Sequence, residues 1–187
     1  MIDYFISATV DRIISLDSDT LFFSFPQELA DWLSSGQELV RYNYELNAGT
    51  QLQNRQGEYF IAEEDEFPFP LVEGINGGFV CCLREMADFD LLERYLAYLQ
   101  ATIGVGRGQH VLAQNAFGLY IRNANRRHLP FPEEDYKVLC HYSAIGQKAR
   151  FQEPAVFKHY NDRIQRFEPL CHYVEDIRQV VDQLTAG

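Results

Sequence analysis

The sequence predicts an α+β protein, with a mainly antiparallel sheet from the N-terminal half packed against helices of the C-terminal half. Short alternating runs rich in β-branched and aromatic residues crowd positions 1–85. Helical apolar spacing dominates positions 86–187. No flexible linker separates the two parts, so residues 1–187 read as a single domain. Of the 187 residues, 47% are hydrophobic and 14% aromatic, a composition that excludes a disordered chain.

From Tyr4 to Val10, apolar Tyr4, Ile6, Ala8 and Val10 alternate with Phe5, Ser7 and Thr9. A helix through Ile13, Ile14 and Leu16 is the competing reading, and the spacing does not separate the two. Leu21–Phe25 is a β-prone run closed by Pro26. The segment PQELADWLSSG has proline in its first turn and Gly36 as a stop, which predicts a short helix.

Leu39–Leu46 is the clearest strand: Val40, Tyr42, Tyr44 and Leu46 share one face. Its expected partner is the run Glu58–Ala62, across a long polar loop. Pro68 and Pro70 mark an edge or loop, because proline donates no ladder hydrogen bond. Gly74, Gly77 and Gly78 supply a turn before a further strand, Phe79–Arg84.

Beyond Phe89, Leu92, Tyr95, Leu96, Leu99 and Ile103 form one helical face, with Asp88 or Asp90 as cap and Gly104 as terminator. Residues 109–122 fit strand or helix equally. NANRRHLPFP reads as a loop. Helices are predicted over Pro132–Phe151, where the acidic PEED suits a helix start, and over Pro154–Phe167. The last helix begins at Pro169. Leu170, Tyr173, Val174, Ile177, Val180, Val181 and Leu184 keep the helical period throughout.

The net charge of −11 is unevenly placed. Residues 1–100 hold 18 acidic and 5 basic side chains; residues 101–187 hold 9 acidic and 11 basic. An acidic first half repels phosphates, so nucleic acid is not an expected partner. No run reaches the roughly 18 apolar residues of a membrane span. MIDYFISATVDR carries no secretion-signal pattern. Cys81, Cys82, Cys140 and Cys171 have no CxxC spacing and read as reduced thiols of a cytoplasmic protein.

The candidate sites are few. Leu139-Cys140-His141-Tyr142 and Leu170-Cys171-His172-Tyr173 repeat a Cys-His pair. Adjacent helical residues diverge by roughly 100°, and the two copies sit in different phase on their helices, so no zinc site is expected. Arg107, within the glycine-rich GVGRG, and Arg126 and Arg127, near an aromatic rim of Phe131 and Tyr120, are candidate anion contacts. The carboxylates Glu63, Glu64, Asp65 and Glu66 are a candidate partner-binding face; they lack the spacing of a calcium loop. No metal and no cofactor are expected.

Catalytic residues are not identified, and no nucleophile-elbow, zincin or kinase pattern occurs. Two functions are carried forward. The first is a non-catalytic binding or regulatory protein, meeting a protein partner or a second copy of itself through the acidic first half. The second is a small enzyme acting on an anionic metabolite.

Overall fold

The computed structural model describes residues 8–45, 51–53, 59–61, 68–102, 109–139, 153–160 and 167–185; side chains at 51–53, 59–61, 102, 109–113 and 167–172 are outside this description. The elements in order are β1 (Arg12–Leu16), β2 (Thr20–Phe22), α1 (Gln27–Ser34), β3 (Leu39–Tyr44), β4 (Gln51–Gln53), β5 (Tyr59–Ile61) and β6 (Ile75–Leu83). After a 3-10 turn over Arg84–Met86 come α2 (Phe89–Thr102), α3 (Gln109–Asn123), β7 (Arg127–Pro130), β8 (Tyr136–Val138), β9 (Phe157–His159) and α4 (Phe167–Thr185). Among the described residues, no helix is long and apolar enough to cross a membrane.

The α+β class stands, with the sheets mixed. One sheet has the order β1-β6-β3-β7, and a second has the order β2-β9-β8. Each combines antiparallel pairing with one parallel pair, β3 with β7 in the first and β8 with β9 in the second. On one face of the first sheet, Ile13, Val40, Tyr42, Val80 and Cys82 pack against α2 and α3 through Leu92, Tyr95, Leu99, Phe117 and Ile121. The other face buries Phe79 and Cys81 with Trp32, Phe131, Tyr136 and Phe157. Here Phe79 stacks on Phe131 at 4.7 Å, and Phe157 lies 5.0 Å from Phe79. Such ring pairs add about 0.5–1.5 kcal/mol each beyond their burial. The aromatic cluster therefore joins the second sheet to the first.

Packing corrects several expectations and decides two that the spacing left open. Ile13, Ile14 and Leu16 lie in a strand, not a helix, because β1 pairs along its length with β6. The stretch Tyr4–Val10 falls largely outside the described residues. β5 pairs with β4, and β3 instead lies between β6 and β7. The segment read as a loop contributes β7, recruited in parallel beside β3. Residues 109–122 belong to a helix.

The predicted helix from Pro132 makes a single turn, in which the Tyr136 amide donates to the Pro132 carbonyl at 2.8 Å. The chain then extends, because Tyr136 is drawn into the aromatic cluster, 4.5 Å from Phe131. The rest of that prediction, from residue 140, lies outside the described residues. In the segment predicted helical from Pro154, Phe157–His159 is β9, held between β2 and β8. α4 agrees with its prediction.

β6 carries the irregularity that matters for the site. Its register with β3 jumps from Tyr42↔Val80 to Asn43↔Asn76, so Gly77, Gly78 and Phe79 bulge out of the ladder with β3, while Phe79 stays paired with β1. A bulge of this kind re-aims neighbouring side chains. Here it turns Asn76 toward β9.

Candidate metal centre

The two sheets meet at the turn Asp17-Ser18-Asp19. β1 ends where Leu16 pairs with Phe79, and the Asp17 amide then donates to the Gly78 carbonyl at 2.9 Å. β2 begins where Thr20 pairs with His159. Asp17 therefore continues the register of one sheet, and Asp19 immediately precedes that of the other. Thr20 Oγ1 closes the turn on the Asp17 carbonyl at 2.8 Å, and the Tyr160 amide donates to the Asp19 carbonyl at 3.0 Å.

These registers bring two carboxylates and one imidazole together. The ligand atoms of Asp17, Asp19 and His159 all lie within 4.8 Å of one another. His159 Nε2 is 3.6 Å from Asp17 Oδ2 and 3.3 Å from Asp19 Oδ1. The His159 side chain is 2% exposed, against 22% for Asp19 and 56% for Asp17, so the group opens to solvent on the Asp17 side. Partial burial raises the Asp17 carboxyl above its usual value; His159 opposes that shift and Asp19 adds to it.

Asn76 sets the imidazole. The Gly78 amide donates to Asn76 Oδ1 at 2.9 Å, and Asn76 Nδ2 donates to Glu45 Oε2 at 2.6 Å, which fixes the amide's orientation. His159 Nδ1 lies 2.8 Å from the same Oδ1. Since that oxygen only accepts, Nδ1 carries the proton. Nε2 is thus the nitrogen turned to the aspartates. A metal-binding histidine usually donates its other ring N–H to a second group, as Nδ1 does here to Asn76. Gly78 makes room for the ring, since a Cβ there would fall inside the imidazole.

Two carboxylates suit Mn²⁺ or Mg²⁺, and the imidazole favours a transition metal, so the donor set points first to Mn²⁺. Three ligands leave coordination positions open for water or substrate oxygens.

The residues singled out from sequence lie elsewhere. Arg126 bridges Glu38 and Glu85, two carboxylates of the acidic first half. Arg127 opens β7 and is exposed. Phe131 and Tyr120 do not form an exposed rim; they are 1% and 2% exposed, each within a core cluster. Arg107, Glu63, Glu64, Asp65, Glu66, Cys140 and His141 lie outside the described residues, as do the side chains of Cys171 and His172. Asp17, Asp19, Asn76 and His159 were not singled out. The available signal was Asp-x-Asp directly after an apolar run, where a turn lets both carboxylates reach one ion.

No protein-family model and no curated protein match this chain. Solved structures similar to it include two glycosyltransferases. One is the apo form of mouse xyloside xylosyltransferase 1, with TM-score 0.46, 16% identity, 83% of this chain covered and 59% of that one. The other is the apo-form glycosyltransferase GlyE of Streptococcus pneumoniae TIGR4, with TM-score 0.44, 14% identity, 98% of this chain covered and 45% of that one. The chain spans less than two thirds of either protein.

Proposed function

We propose that this chain is a divalent-cation-dependent transferase acting on a diphosphate-bearing substrate, which it holds through a cation bound by Asp17, Asp19 and His159. The observation that carries the reading is the convergence of these three side chains within 4.8 Å, with His159 oriented by Asn76. Cations of this type are commonly held by one or two carboxylates plus the phosphates of the substrate. The partly open position beside Asp17 suits that arrangement.

When bound, the cation would supply Lewis-acid neutralisation of charge on a departing diphosphate. The chain's own part is to orient the His159 ring through Asn76, so that Nε2 faces the aspartates, and to hold both carboxylates at the sheet junction. Of the two functions carried from the sequence, this is the enzyme acting on an anionic metabolite, with the anion gripped through a metal instead of through arginines.

The test is Mn²⁺ titration of the purified protein, followed by paramagnetic resonance, with nucleoside diphosphate release as a second readout. One site is expected, abolished by Asp19→Asn. Failure of the wild-type protein to bind Mn²⁺ or Mg²⁺ overturns the reading.

The charge asymmetry supports a separate proposal, a protein partner or second copy on the acidic first half, in a cytoplasmic setting. Salt-independent sedimentation as a monomer, with no captured partner, would count against it.

A further inference from the structure

β9 alternates its side chains between two surroundings. Phe157 and His159 face β6, where Phe79 and Asn76 meet them. Lys158 and Tyr160, the residues on either side of His159, turn instead to α4. Lys158 Nζ donates to Asp176 Oδ2 at 2.9 Å, and the Tyr160 hydroxyl donates to the same oxygen. This contact is largely dry: the Lys158 side chain is 6% exposed and that of Asp176 15%.

One turn earlier on the helix, Tyr173 packs its ring 4.8 Å from that of Tyr160. Its hydroxyl donates to the carbonyl of Ser18 at 3.3 Å. Ser18 is the residue between Asp17 and Asp19. Tyr173 and Asp176 are three positions apart and so lie on one helix face. That single face is therefore bonded to both neighbours of the histidine and to the link between the two aspartates.

We propose that α4 is a clamp that positions the cation site, with Asp176 and Tyr173 as its positioning residues, so that cation occupancy and the docking of α4 strengthen each other. The proposal rests on the cation-site reading above. Its energetic logic is reciprocal: whatever α4 docking contributes to cation affinity, the cation returns to α4 docking.

The experiment uses the full chain with Mn²⁺ as probe. Binding is measured by paramagnetic resonance for wild type, Asp176→Asn, Tyr173→Phe and, as a control on an exposed position of the helix, Gln179→Ala. Hydrogen exchange of α4 in the wild-type protein is recorded with and without Mn²⁺. Residues that orient metal ligands typically change affinity by about 10–100-fold. A loss on that order is expected for Asp176→Asn, a smaller one for Tyr173→Phe and none for Gln179→Ala, together with slower exchange in α4 when Mn²⁺ is present.

Wild-type binding with unchanged affinity in folded Asp176→Asn and Tyr173→Phe overturns the clamp and leaves the cation site standing. No wild-type binding overturns both. If Asp176→Asn does not fold, the exchange measurement decides: α4 amides indifferent to Mn²⁺ overturn the clamp.

Discussion

At Asn76 one amide serves three neighbours: it accepts from the Gly78 backbone and from His159, and it donates to Glu45. Replacing it with alanine releases the imidazole from its tautomer and its plane. Asn76→Ala is expected to weaken Mn²⁺ binding by about 10–100-fold while the chain stays folded, as calorimetric titration would read. Gly78→Ala acts on the same ring from the opposite direction, by filling its space. Overpacking of this kind costs about 1–3 kcal/mol, so both urea stability and cation affinity should fall. Two other residues of β6, Cys81 and Cys82, are buried free thiols. Burial pushes both thiols up, that of Cys82 to about 12. Protonated and shielded, they should resist alkylation at neutral pH until the protein unfolds, as mass mapping of the labelled peptide would show.

Elements in this protein are decided less by local periodicity than by what lies beside them. α2 and α4 were legible because a single apolar stripe describes each. β8 and β9 were not. Their lysines, Lys137 and Lys158, look like a solvated face in the sequence, yet both are buried and are register partners across a parallel pair. Each is neutralised from outside the sheet, Lys137 by Glu153 at 2.5 Å and Lys158 by Asp176 at 2.9 Å. With both faces covered, strands lose the alternation that marks a half-buried strand. Phe157 holds β9 to the aromatic cluster and is 0% exposed. Phe157→Ala should cost about 3–5 kcal/mol in urea unfolding, one of the largest single effects in the molecule. It should loosen the strand that carries His159 as well.

On the scale of the whole molecule, the site lies where the two sheets share one turn, so binding there should stabilise the fold. A cation at a hundred times its dissociation constant adds about 2.7 kcal/mol to a protein that binds it only when folded. Mn²⁺ is therefore expected to raise the thermal midpoint of the wild-type chain and to leave that of Asp19→Asn unmoved in the same scan. The α+β division, the acidic first half, the strand at β3 and the part of β6 from Phe79 were readable from sequence alone, because composition and short-range patterning act within a few residues, whereas Ile75–Gly78, read as a turn, belong to β6. The Asp17-x-Asp19 pair was equally local and could have been read as a metal half-site after an apolar run. The remaining half could not. His159 reaches the aspartates only because Thr20 pairs with it across the second sheet, and its ring is usable only because a bulge in β6 aims Asn76 at it. Strand register and bulge placement depend on the packing of distant segments, so the tertiary structure alone decided that these residues form one site.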